Sequence, residues 1–326
     1  MKAVVITEFG KPEVMKYIDV DLPKLTSKQV LIRVEKTSVN FADIKSRYGK
    51  KGNGNFPFIP GIDAAGVIEE IGSEVRHLKV GQRVIAFPSK GSYAKYIVAD
   101  ENLTFVIPDH LDFDLAAASP VVSFLSYKLL ADVARIERGE TVLIHSAAGG
   151  VGTTAIQLAK ILGADKVIGT VGSKNKVNFA LDAGADHVIC YESEDFSDKV
   201  NELTDGKGAN IILDSISGWV SERSLECLAS YGRLVHFGNS SGAIGRFKTT
   251  DFHSSCKSVL GFSLGTTRKQ RPELLKETAK HVFRYLADGS LKIKIGHHFP
   301  LSEASKAHEL VENRLSTGKV LLDVKE

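Results

Sequence analysis

The segment His145-Ser146-Ala147-Ala148-Gly149-Gly150-Val151-Gly152 closes an apolar run at residues 141–145. It opens a stretch, residues 151–162, in which Ile156, Ala159 and Leu162 share one helical face. Ala147-x-Gly149-x-x-Gly152 has the spacing of a dinucleotide-binding turn, with alanine in place of the first glycine. Gly149 lets the backbone approach a pyrophosphate, and Gly152 lets the helix pack closely on the strand. The helix start, with Ala148, Gly150 and Val151, offers N–H groups and a partial positive charge to phosphate. A glycine-rich turn without a ligand is the bland alternative; the strand before it and the helix after it favour the ligand.

About 20 residues beyond such a turn, an enzyme that takes NAD places Asp or Glu to hold the adenine ribose hydroxyls. This chain reads Thr170-Val171-Gly172-Ser173-Lys174-Asn175-Lys176 there. No carboxylate stands ready to repel a 2′-phosphate. Ser173 can donate a hydrogen bond, and Lys174 or Lys176 can supply charge. Solvated surface lysines would look the same, so the missing acid is the stronger half of the case for NADPH.

These residues need a scaffold, and the chain has two textures. Residues 1–120 read as short strands at 3–6, 30–34, 65–71, 83–87 and 93–98, broken by turns at Pro57, Pro60-Gly61, Gly81 and Gly91. From about residue 122, short apolar strands alternate with helices. Strands are expected at 141–145, 167–171, 188–191, 211–214, 234–237 and 259–264, and a helix at 174–183. Unbroken apolar runs of this kind suit a parallel, doubly wound sheet covered on both faces. A long helix at 273–286, a helix capped by Ser302 and a last strand at 320–324 follow, that strand being expected to rejoin the first domain. The fold class is therefore α/β, with a β-rich domain and a Rossmann-type domain.

The 326 residues carry 42 basic and 39 acidic side chains, a net charge of +3 that gives no reason to expect a nucleic-acid or membrane partner. Cys190, Cys227 and Cys256 are widely spaced and form no CxxC pair, so neither a disulfide framework nor a zinc ribbon follows from them. Buried, inert thiols in a reducing compartment are the expectation. Charge appears at Glu8, too early for a signal-peptide core, and no run approaches the length of a membrane span. A soluble, cytoplasmic protein is expected.

The run Gly139-Glu140-x-x-Leu143-x-x-x-Ala147-Ala148-Gly149-Gly150-Val151-Gly152-x-x-x-x-Gln157-x-x-Lys160 resembles the long signature of the zinc-independent quinone oxidoreductases, the zeta-crystallin-like branch of the medium-chain dehydrogenases/reductases. Asn40-Phe41-Ala42-Asp43, Phe237-Gly238-Asn239-Ser240-Ser241-Gly242 and the first eight residues are similar to family segments as well. The resemblance implies a GroES-like catalytic domain at 1–121 and 265–326, a Rossmann NADPH-binding domain at 122–264, and cofactor in the cleft between them. It further implies that Tyr191 lies near the adenosine phosphate, that Phe237, Gly238, Asn239 and Ser240 follow the cofactor, and that Arg314 reaches it. Tyr191 as strand-end packing and Arg314 as a solvated residue are the plain alternatives. Zinc-bearing relatives carry Gly-His-Glu where this chain has Gly61-Ile62-Asp63, and no cysteine precedes position 190, so no metal is expected.

Without a metal, the available chemistry is direct hydride transfer to an electron-poor acceptor such as a quinone, which needs no strong acid. The loop expected at 40–48 is the candidate lining of the acceptor site, with Asn40 and Asp43 matching residues near the nicotinamide or substrate in the family. Tyr48 is the nearby phenol that could donate a proton or stack on a ring. Lys45, Lys51 and Leu125 depart from the family pattern. Asp43 as a turn or capping residue and Tyr48 as surface packing remain open. The competing activity is reduction of an activated C=C bond in an enal or enone; from another class, an NADPH-binding sensor or RNA-binding protein with little turnover. A homodimer is expected, pairing residues 258–264 across a twofold axis, unless the loop at 265–272 covers that edge.

Overall fold

The computed structural model describes residues 1–50 and 55–324. Lys51 lies outside the described residues. The chain divides into two compact units, one of residues 1–124, 266–289 and 293–326, the other of residues 125–265 and 290–292.

The second unit is built on a six-stranded, all-parallel sheet. Along the sheet its strands run His187–Cys190, Lys166–Val171, Thr141–Ile144, Ala209–Asp214, Leu228–His236, Ser258–Gly261. In chain order that is third, second, first, fourth, fifth, sixth, the doubly wound arrangement whose ligand crevice lies outside the carboxyl ends of the strands. Val142, Leu143, Ile168, Ile211, Ile212, Leu213, Leu234 and Val235 are wholly buried. Burying each such side chain contributes roughly 1.5–3 kcal/mol. Branched side chains buried on both faces explain why these strands read as unbroken apolar runs.

The first unit carries a seven-stranded sheet. Its long strand Gln29–Val39 pairs antiparallel with Ala64–Ile71, Tyr96–Asp100 and the last strand, Lys319–Asp323. The return of the chain end to this sheet is as expected. Lys2–Ile6 and Met15–Asp19 form a separate hairpin whose inner face joins the same core through Val4, Ile6 and Met15.

Several expected elements are corrected. Residues 40–48 form no loop but a helix, Phe41–Arg47, with Asn40 at its N-cap. The Asp43 carboxylate accepts the Asn40 backbone N–H at 2.9 Å, which satisfies a donor at the helix start. Gly49, at φ +71°, ends the helix in a conformation that glycine alone adopts cheaply. The helix expected at 174–183 is a 3₁₀ turn, Lys174–Lys176, followed by Val177–Asp182. The last Rossmann strand stops at Gly261, and the expected loop at 265–272 is largely a helix, Leu264–Gln270, halted before Pro272. Tyr93 lies in a bend, where Ser92 and Tyr93 both donate to the Pro60 carbonyl, and Ala94 makes only an isolated bridge to Ala3, so the regular strand begins at Tyr96. Ser302 does not cap the helix Ala304–Glu312; it sits inside a 3₁₀ turn, Leu301–Glu303, that leads into it.

Candidate active site

At the carboxyl end of the central strand Thr141–Ile144 the chain turns through Ser146, at φ +55°, into the helix Gly150–Ile161. The turn is held from below. Ala147 N–H donates to the Thr170 carbonyl at 2.9 Å, and His145 N–H donates to Leu213 at 3.1 Å. The His145 ring, buried between Thr170 Oγ1 and Ser224 Oγ at 2.9 Å each, has its pKa lowered by desolvation to about 4 and is neutral. A Cβ on Gly152 would lie 2.4 Å from the Ser146 carbonyl oxygen and 2.6 Å from that of Ala147. Only glycine therefore lets the helix sit this close to the turn. The alanine at the first position of the fingerprint is also explained: its methyl lies 2.6 Å from where a Cβ on Gly169 would be, so the neighbouring strand provides the missing space. The first-turn N–H groups of Gly150, Val151 and Gly152 have no partners within the helix by its geometry. A phosphate-sized anion fits this set of donors.

The other expected cofactor residues, Arg314 apart, lie at the same carboxyl edge of the sheet. Gly172 and Ser173 directly follow the second strand, and Tyr191 directly follows the third. The Tyr191 hydroxyl is 2.7 Å from where a Cβ on Gly172 would be. Ser173 precedes the 3₁₀ turn and donates to Asn175 Oδ1 at 2.6 Å; Lys176 closes the turn. The segment Phe237-Gly238-Asn239-Ser240 runs along the end of the fourth strand. Phe237 N–H donates to Asp214 and Ser240 N–H to Ser215, each at 3.0 Å, while Asn239 Oδ1 accepts Gly242 N–H at 2.6 Å. Ala148, Gly149, Gly150, Val151, Gly152, Gly172, Ser173, Lys176, Tyr191 and residues 237–240 are thus gathered in one unit. Arg314 belongs to the other unit, at φ +59° after the helix Ala304–Glu312.

That other unit holds Asn40, Asp43 and Tyr48. The buried Asn40 amide donates to Asp63 Oδ1 at 3.0 Å and to Ser38 Oγ at 3.2 Å, and accepts from Lys319 Nζ at 2.8 Å. Asp63, fully buried, also accepts from Ser38 Oγ at 2.8 Å and Val121 N–H at 3.2 Å. Burial pushes the Asp63 carboxyl up and the Lys319 ammonium down, and the attraction between their charges opposes both shifts. The Tyr48 hydroxyl donates to Glu312, a bond that, with burial, raises its pKa. Tyr48 is therefore a tethered phenol, with the Arg47 guanidinium 4.7 Å from its ring centre.

Sequence marked Asp63 only as standing in place of a metal-ligand segment and Arg268 only as part of an edge-covering loop, and it did not single out Lys319. Lys319 heads an apolar strand, Lys319–Asp323, where it is buried, and a lysine set directly before Val320-Leu321-Leu322 is the one trace a sequence reading could have followed. Arg268, within the stretch 265–272 expected as a loop, donates to the Ile62 carbonyl at 2.9 Å and stacks over Phe87 at 5.1 Å. Among the described residues, no group of three or more His, Cys, Asp or Glu side chains is placed to hold a metal ion, and no helix is long and apolar enough to cross a membrane.

Two family models match the chain, described as zinc-binding dehydrogenase over residues 150–280 and alcohol dehydrogenase GroES-like domain over residues 26–109. Quinone oxidoreductase 1 of Escherichia coli is 35% identical over 324 residues, covering 96% of each chain. The human quinone oxidoreductase is 32% identical over 326 residues, covering 99% of this chain and 97% of that protein. The crystal structure of the E. coli quinone oxidoreductase complexed with NADPH matches with a TM-score of 0.93 at 33% identity, over 99% of this chain and 100% of that one. Similarity at this level over nearly the whole length, on a GroES-like domain joined to a parallel Rossmann sheet, places the chain in a family of enzymes: it belongs to the zinc-independent quinone oxidoreductases of the medium-chain dehydrogenases/reductases.

Proposed function

We propose that the protein is an NADPH-dependent quinone reductase that transfers hydride without a metal. The observation that carries this is the phosphate-binding turn at Ala147–Gly152, in a sheet whose second strand is followed by Gly172-Ser173-Lys174 with no acid. The relatives' names support a quinone as acceptor. NADPH, when bound, supplies the hydride. The N–H groups of Gly150, Val151 and Gly152 receive the pyrophosphate; Gly149, whose own N–H donates to the Ser146 carbonyl at 3.0 Å, lets it approach the backbone, and Ala148 shapes the turn. Gly172, Ser173 and Lys176 receive the adenosine 2′-phosphate. Tyr191, Phe237, Gly238, Asn239, Ser240 and Arg314 complete the cofactor-binding set.

Asn40 and Asp43 serve the acceptor as positioning residues, since their polar atoms are committed to Asp63, Lys319 and the helix start. Tyr48, tied to Glu312, holds the end of that helix and turns its ring toward packing rather than proton donation. A quinone fits such a site because hydride transfer leaves a hydroquinone monoanion, stable enough to take its one remaining proton from water. The protein acts in the cytoplasm, as a homodimer joined through the edge strand Ser258–Gly261.

The test is steady-state NADPH oxidation with 1,4-benzoquinone, with a 2-alkenal and with no acceptor, each with and without EDTA. Fast turnover with the quinone alone, unchanged by EDTA, is expected. Faster turnover with the alkenal would favour C=C reduction. Binding of NADPH without turnover on any acceptor would favour a sensor.

A further inference from the structure

The chain has a single tryptophan, and Trp219 is 52% exposed. It opens the short helix Trp219–Ser224, just beyond the carboxyl end of the fourth Rossmann strand. The indole is held in place. Its centre lies 5.8 Å from the Phe196 ring and 6.2 Å from the Tyr191 ring, the latter at 79°. Gly218, which precedes it, has φ +66°, and a Cβ there would lie 2.8 Å from the Ala243 methyl. The backbone that aims the indole therefore tolerates no side chain at 218.

Tyr191 links the indole to the end of the second strand. Its hydroxyl stands over Gly172, and its N–H donates to the Val171 carbonyl at 3.2 Å. In a sheet of this order the adenosine ribose is read at the end of the second strand. The base attached to that ribose falls beside Tyr191 and its neighbour. Two aromatic rings near a right angle form a corner, in which one ring can meet a flat base face to face and the other its edge. We infer that Trp219 and Tyr191 form an adenine-binding corner, making Trp219 a cofactor-affinity residue. This rests on the NADPH reading above.

The corner is tested with two half-cofactors on the full chain. Adenosine 2′,5′-bisphosphate carries the base and the 2′-phosphate without nicotinamide; reduced nicotinamide mononucleotide carries the reverse. Trp219 emission should change on saturation with the bisphosphate and stay constant with the mononucleotide. By calorimetry, Trp219→Ala should weaken binding of the bisphosphate and of NADPH about tenfold, as loss of one base-stacking partner does. Trp219→Phe should stay within about threefold of wild type, and mononucleotide affinity should not move. In turnover, Trp219→Ala should raise KM for NADPH and leave kcat in place. Wild-type bisphosphate affinity in Trp219→Ala, with NADPH still bound, would overturn the corner and leave the NADPH reading standing. A wild-type protein that binds neither molecule would overturn both. If Trp219→Ala does not fold, the wild-type emission decides: no change at saturation with the bisphosphate rejects the corner.

Discussion

Ala147 stands where a phosphate-binding turn ordinarily has its first glycine, and its methyl fits because Gly169 lies beside it on the neighbouring strand. The two positions share one volume, which makes them a coupled pair. Gly169→Ala alone should destabilise the protein by about 1–3 kcal/mol, the usual cost of overpacking. Adding Ala147→Gly should recover most of that loss, so the double mutant sits well above the sum of the singles in a urea-unfolding cycle. Additive losses would show that the two methyl positions do not compete. Sequence reading found Gly149 and Gly152 because their spacing is local. Gly169 was not legible, since its role depends on a strand pairing, Ile144 beside Gly169, that only the folded sheet creates.

The helix Phe41–Arg47 is anchored to the helix Ala304–Glu312 by a buried chain of polar groups. Arg47, wholly buried, donates to Gly10 carbonyl and His308 Nδ1 at 3.0 Å each and also pairs with Glu312. With Nδ1 accepting, the imidazole proton sits on Nε2 and is donated to the Tyr93 oxygen at 3.0 Å. Desolvation, then the Arg47 charge, lowers the His308 pKa from 6.5 to about 3. In the Rossmann unit desolvation lowers His145 to about 4. Both histidines are neutral in the fold, while the unfolded chain protonates them below about pH 6.5. Their contribution is therefore level above that pH. It is lost as pH falls, at about 1.4 kcal/mol per pH unit for each histidine, down to pH 4 for His145 and pH 3 for His308. Urea unfolding at pH 7.5, 6 and 5 should show this slope, and His308→Gln should reduce it. A slope unchanged in that variant would contradict the buried neutral imidazole. None of this network could be read in the sequence, because Arg47, Tyr93 and His308 come from three distant segments. The helix itself was half legible: Asn40 and Asp43 have cap-and-third-residue spacing, but Gly49 and the short apolar content made the stretch resemble a loop.

At the scale of the whole molecule, alternation of strands and helices identified the Rossmann sheet, since its buried strands, such as Ile211-Ile212-Leu213, advertise themselves by composition. Element ends were less legible, as at residues 258–264, where Leu264 turned out to open a helix rather than extend the strand. The strand Ser258–Gly261 is still the sheet edge, with Val259 and Leu260 half-buried in the single chain. An edge of this kind invites pairing with its twofold mate. Light scattering at micromolar concentration should give twice the 35.4 kDa chain mass, and Leu260→Lys should shift it toward monomer or aggregate. A wild-type mass equal to one chain would end the homodimer proposal. The choice between nicotinamide cofactors is made at the corner Gly172-Ser173-Lys174-Asn175-Lys176, which offers hydrogen bonds and charge but no acid. The most direct measurement is kcat/KM for NADPH and for NADH with the same quinone. The value for NADPH should exceed that for NADH by at least about tenfold, the effect of one charge-assisted contact to a phosphate; equal values, or a higher value for NADH, would contradict the account.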